Sequence, residues 1–110
     1  MKKQFRLLKS EDFKNVIDAR RRIRTDSFKV FVKENGRHYL RVGLSVSKKI
    51  GKAHVRVKVR RQLRACFDLL SIFDCNYDIV VIANPGFLDR DFAANMCLLK
   101  DAVSKLTARG

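Results

Sequence analysis

Hydrophobic positions recur along the chain at two spacings, and the switches between them mark out the elements. Phe28, Val30 and Val32 alternate with Lys29, Phe31 and Lys33, the period of two that sends successive side chains to opposite faces of a strand. Asn35-Gly36 is a strong turn signal, and beyond it Leu40, Val42, Leu44 and Val46 alternate with Tyr39, Arg41, Gly43, Ser45 and Ser47, which predicts a second strand over 39–47. Gly43 and Ser45 keep one face of that strand low, as a nucleic-acid strand lying close over it would need. Asn76 to Ala83 is almost continuously apolar, the signature of a central or doubly covered strand, and Asn84-Pro85-Gly86 ends it.

Elsewhere the spacing is helical. Ser10 can cap a first helix, with Glu11 and Asp12 in its first turn and Phe13, Val16 and Ile17 on its apolar face. Val55, Val59, Leu63, Cys66 and Leu70 fall within a stripe of about 80°, the buried face of a helix from about Ala53 to Ile72. Leu88, Phe92, Met96, Leu99, Val103 and Leu106 give a C-terminal helix, with Asp89 and Asp91 near its start where the dipole favours acids. The last two helices can cover one side of a sheet and leave its other face partly open to a ligand.

The chain has 110 residues, the usual size of one domain, and 46% are hydrophobic, enough for a core. It shows no internal repeat and no low-complexity linker, so a single domain over 1–110 is expected. The basic start of the chain lacks an apolar signal-peptide core, because Lys9, Ser10, Glu11 and Asp12 interrupt it. The longest apolar run, Ile79 to Ala83, is far short of the roughly 20 residues that span a bilayer. Cys66, Cys75 and Cys97 match neither a CxxC pair nor a zinc template, which favours reduced thiols and a cytoplasmic location.

Charge changes this picture more than composition does. Lys and Arg total 25 against 11 acidic residues, a formal net charge of +14, and such self-repulsion points to a phosphate-rich partner. From Asn35 to Phe67 there are ten basic residues and no acidic one, whereas Asp68 to Gly110 carries 4 basic and 6 acidic residues. The central stretch binds; the last third mostly builds. Within the predicted basic helix Arg56, Arg60 and Arg64 form an i, i+4, i+8 row that Lys58 and Arg61 broaden. Like charges at that spacing oppose folding by a few tenths of a kcal/mol per pair (about 0.2–0.5). An all-basic face therefore argues for a polyanionic partner rather than a solvated surface. Arginine grips phosphate with a planar fork and stacks on bases, which suits folded RNA. A membrane is disfavoured because the apolar stripe is needed for the core.

Two further features leave alternatives open. Arg20, Arg21 and Arg22 suit the C-terminal end of the first helix, either as a dipole-matched end or as an RNA contact. Phe31 between Lys29 and Lys33 is either a stacking platform for an unpaired base or a core residue packed under the first helix.

Catalytic groups are sparse. Asp89 and Asp91 are two apart, poor geometry for facing metal ligands on a helix, and capping explains them better. His38 and His54 stand alone among cations and read as surface histidines. Ser45 and Ser47 lack a nucleophile elbow, and no phosphate-binding glycine loop is present. The chain is expected to bind and not, by itself, to catalyse.

The run RVGLSVSKKIGKAHVRVKVRRQLR, from Arg41 to Arg64, together with Arg6-Leu7 and Asp12-Phe13 upstream, resembles the bacterial ribonuclease P protein component over the whole chain. The resemblance implies an α+β fold, a single-domain α/β sandwich of order α-β-β-β-α-β-α with a left-handed β-α-β crossover. It also implies a catalytic centre made of RNA with bound Mg²⁺, no cofactor on the protein and no small-molecule substrate. The partners would be ribonuclease P RNA and precursor tRNA. Arg56, Lys58, Arg60, Arg61 and Arg64 would face the catalytic RNA. A cleft for the 5′ leader of precursor tRNA would use Phe13, Lys29, Phe31, Lys48 and Lys49, with Arg60 and Arg61 along its edge. The sequence departs from the family pattern at Val57, where the family has Asn, at Arg60, where it has Lys, and at Ile17, often aromatic. A structural RNA-binding protein of ribosomal type and a self-sufficient nuclease are the competing readings.

Overall fold

The computed structural model describes residues 3–19 and 21–107. Its elements run α1 (Ser10–Ile17), β1 (Arg22–Arg24), β2 (Phe28–Glu34), β3 (Arg41–Val46), α2 (Ala53–Leu70), β4 (Tyr77–Ala83) and α3 (Phe92–Thr107), with short 3-10 turns before α1, α2 and α3. The order is the α-β-β-β-α-β-α expected of the α+β sandwich. One four-stranded sheet, in spatial order β1-β2-β4-β3, carries everything else.

β4 lies between β2 and β3, antiparallel to the first and parallel to the second. The Asn35-Gly36 turn is real, with Gly36 at φ 65°, but the strands on either side of it do not pair with each other. Five of the seven β4 side chains are buried hydrophobics, Tyr77, Ile79, Val80, Val81 and Ala83, as a strand covered on both faces requires.

The alternation in β2 sorts the two layers of the core. Phe28, Val30 and Val32 join Val42, Ile79 and Val81 beneath Val59, Leu63, Cys66 and Phe67 of α2 and Leu99, Val103 and Leu106 of α3. On the opposite face Phe31 and Val80, paired across the strands, pack under Val16 of α1 and Leu7. Backbone pairing brings the preceding segment alongside β3, where the Leu7 amide donates to the Val42 carbonyl at 2.8 Å.

Several boundaries differ from the pattern of the sequence. α1 stops at Ile17, and Arg22–Arg24 forms the edge strand β1, with Arg24 opposite Lys29 and Ile23 half-buried. Arg21 does meet a helix C-terminus, but that of α3: its guanidinium donates to the Leu106 carbonyl. Arg20 lies outside the described residues. α2 ends at Leu70, where Ser71 takes a left-handed conformation (φ 53°) and donates to the Phe67 carbonyl. Leu88 and Asp89 belong to the turn before α3, and Asp91 Oδ1 accepts the Ala94 amide at 2.8 Å, capping the helix as its position suggested.

Candidate nucleic-acid interface

The basic helix owes its position to its apolar stripe. Val59, Leu63, Cys66 and Phe67 are buried, and this leaves Arg61 and Lys58 exposed and Arg56, Arg60 and Arg64 half-buried on one flank. Val57 stands 50% exposed among these cations, as helical spacing predicts. The start of α2 has no acidic residue and no side-chain cap, so the positive end of its dipole adds to the local field. Lys48 and Lys49 are exposed in the turn that leads into it.

The arginine flank faces the N-terminal segment. Arg60 and Arg64 line a cavity of about 240 Å³ together with Arg6, Leu7, Leu8, Phe13, Val42 and Leu44. Burial, then the charges of Arg6 and Arg60, hold the Arg64 guanidinium below its usual pKa. The buried Nε atoms of Arg56 and Arg64 meet no acceptor among the described residues. Such crowding of like charge costs folding energy and is relieved by a polyanion. Arg6 is the member of this cluster that the helical row could not reveal, because it arrives from another segment.

Phe13 lies in this cavity because Gly43 admits it. A Cβ on Gly43 would stand 2.5 Å from Phe13 Cζ. The low face of β3 is therefore occupied by the α1 ring, not left open for a nucleic-acid strand as its small residues suggested.

Lys29 and Phe31 line a different cavity, of about 330 Å³, with Arg22, Ile23 and Arg24. Phe31 is 4% exposed. Of the two readings of this residue, packing under α1 is the one realised, and little of the ring is left to the cavity. The residues expected in one leader cleft thus divide: Phe13 and Arg60 share one cavity, Lys29 and Phe31 another, and Lys48 and Lys49 line neither. The arginines of β1 join the second group.

Away from the cations, one buried acid holds the frame. Arg41 donates from Nε and Nη2 to both oxygens of Asp78, at 2.8 and 2.6 Å, and Asn35 Nδ2 adds 2.9 Å. Arg41 also reaches Asp12 of α1 at 3.6 Å, so the clamp ties helix to sheet. Asp78, through its hydrogen bonds first, raises the Arg41 pKa. Among the described residues, no three His, Cys, Asp or Glu side chains converge as a metal site would need, and no helix is long and apolar enough to cross a membrane. His38 and His54 are exposed. The arrangement offers phosphate contacts, apolar cavities beside them and a fixed frame.

Comparison with known proteins gives one answer. The ribonuclease P family profile matches residues 1–107. The ribonuclease P protein component of Streptococcus thermophilus is 41% identical over 93 residues, 84% of this chain and 83% of that protein. That of Oenococcus oeni is 43% identical over 89 residues, 76% of this chain and 73% of that protein. Among solved structures, the Thermotoga maritima ribonuclease P protein superposes with a TM-score of 0.81 at 28% identity, covering 94% of this chain and 98% of that one. A Staphylococcus aureus ribonuclease P protein mutant with defective mRNA degradation activity gives 0.85 at 28% identity, covering 94% and 88%.

Proposed function

Because the chain belongs to the ribonuclease P protein component family, we propose that it works as the protein subunit of an RNA-based endoribonuclease that matures the 5′ end of tRNA. In this reading α2 binds the catalytic RNA through Arg56, Lys58, Arg60, Arg61 and Arg64. The 5′ leader of precursor tRNA runs past Phe13 and Arg60 and on to Lys29, Arg22 and Arg24, with Lys48 and Lys49 contributing phosphate contacts. Phe31 serves as floor beneath that path rather than as a stacking ring. Mg²⁺ is held mainly by the RNA, the protein alone does not cleave, and the complex acts in the cytoplasm.

The observation that carries this reading is the arginine flank of α2, free of acids from Ala53 to Phe67, with Arg64 crowded by Arg6 and Arg60. Folding tolerates that repulsion for a surface whose partner supplies phosphates, since each phosphate neutralised releases condensed counterions. Val57 places an apolar side chain where the family pattern has Asn, so no hydrogen bond from that position contributes here.

The test mixes purified protein with precursor tRNA, with and without a bacterial ribonuclease P RNA, at low Mg²⁺. Stimulated cleavage only in the presence of the RNA is expected. Cleavage without RNA would instead identify a self-sufficient nuclease, and failure to stimulate would favour a structural RNA-binding protein.

A further inference from the structure

α2 has a second flank. On the side away from Arg56, Arg60 and Arg64, a cavity of about 560 Å³ opens between its first three turns and the turn that enters α3. Its size falls within the roughly 300–1,000 Å³ of small-ligand sites. Val55, Phe87, Leu88 and Phe92 give it an apolar wall, and His54, Lys58 and Arg90 stand around it. Leu88 is 49% exposed, one of few large apolar side chains so exposed among the described residues.

Resting on the reading of α2 as the RNA-binding helix, we infer that this cavity takes one unstacked nucleotide of the RNA that α2 binds, its base against Leu88 and Phe92 and its phosphate on Lys58. Charge favours this occupant. His54, Lys58 and Arg90 set basic groups around the cavity against one carboxylate. Asp91, the one carboxylate there, spends an oxygen on the Ala94 amide, and Arg90 leans on Asp26 at 3.5 Å and on Ser27 Oγ at 3.3 Å. Continuity favours it too. His54 and Lys58 are shared with a shallower hollow of about 480 Å³ that holds Val57 and Arg61 on the crest of the helix. RNA lying on the crest therefore reaches the cavity without leaving the protein surface. An apolar wall beside a phosphate-binding cation is what single-stranded nucleotides use when they are held without regard to sequence.

The experiment measures binding of a bacterial ribonuclease P RNA to the full chain at several salt concentrations, for the wild type and for Leu88→Ser, Lys58→Ala, Leu69→Ser and Arg64→Ala. Leu88→Ser is expected to weaken binding by about fivefold or more with an unchanged salt slope, because a base contact and not a phosphate is lost. Lys58→Ala should both weaken binding and shallow the slope. Leu69, 65% exposed on the same helix but outside the cavity, should tolerate serine without effect. Chemical probing should show one unpaired base protected by the wild type and reactive in the Leu88→Ser complex. Wild-type affinity in Leu88→Ser together with weakened binding in Arg64→Ala overturns the inference and leaves the RNA-binding role of α2 standing. Wild-type affinity and slope in both would remove that role, and the cavity assignment with it.

Discussion

Replacing Gly43 by alanine tests how α1 is seated on the sheet. The added Cβ would lie 2.5 Å from Phe13 Cζ and 2.9 Å from each Cε. Ordinary carbon contact is near 3.5 Å, so the ring must retreat by about 1 Å. It cannot move toward the sheet, where Gly43 faces Val80 in the neighbouring strand. It must lift outward and carry α1 away from Phe31 and Val80. Overpacking of this kind costs about 1–3 kcal/mol. Removing a strand glycine returns up to about 1 kcal/mol of unfolded-state entropy. The net expectation is a loss of about 1–2 kcal/mol in urea unfolding. Phe13→Leu shortens the side chain, so its cost should shrink in the Gly43→Ala background, with a coupling energy near 1 kcal/mol. Leader binding should weaken in Gly43→Ala while the salt dependence of catalytic-RNA binding stays as in the wild type. Undiminished stability of Gly43→Ala, or strict additivity with Phe13→Leu, would refute the close packing on which this rests.

Asp78→Ala should destabilise the fold by about 3–5 kcal/mol in thermal or urea unfolding, because it strips a largely buried guanidinium of its bidentate partner and leaves it the longer 3.6 Å contact with Asp12; a loss under about 1 kcal/mol would show the clamp to be dispensable. Cys66 predicts a pH effect. Burial raises its thiol from 9.0 to about 11, so the folded state keeps the proton longer than the unfolded chain. The stability this contributes, about 2–3 kcal/mol, is fully present below pH 9 and is lost as pH rises through about 11. Cys66→Ala should lack that part of the alkaline loss in denaturation curves, and parallel curves for the two proteins would count against it. Arg64→Ala should weaken binding of ribonuclease P RNA and lower the salt slope by about 0.9 per phosphate contact removed; an unchanged slope would take α2 out of the interface.

What the sequence made legible was local. The alternation of Phe28, Val30 and Val32 and the stripe of Val59, Leu63 and Cys66 assigned faces correctly, because period and burial are tied residue by residue. The basic flank of α2 followed from the same stripe. What needed tertiary structure stayed hidden. A three-residue strand, Arg22–Arg24, has too few apolar positions to show a period and looks like a basic helix end. Gly43 signalled a close approach without saying of what. Asp78 sits in a run that reads as almost continuously apolar, and its partner Arg41 comes from another strand. Arg6 joins Arg60 and Arg64 from far along the chain. Phe31 was undecided between stacking and packing because alternation gives its face and not what covers that face. The leader-cleft residues came from family resemblance, and the geometry distributes them over two hollows instead of one.

The central position of β4 has a consequence for synthesis. Ribosomes release β2 and β3 well before Tyr77–Ala83, yet each of those strands finds its main sheet partner in β4, with only the short β1 beside β2 and a single bridge from Arg6 beside β3 available earlier. Until then the growing chain exposes two strand edges, the uncovered stripe of α2 and an acid-free run of cations, a combination prone to pair or adhere wrongly. The acidic last third, which closes the sheet and covers the helix, is also the part that makes the nascent basic segment safe. A chain cut short before Tyr77 keeps the charge that attracts RNA and loses the framework that gives that charge a shape.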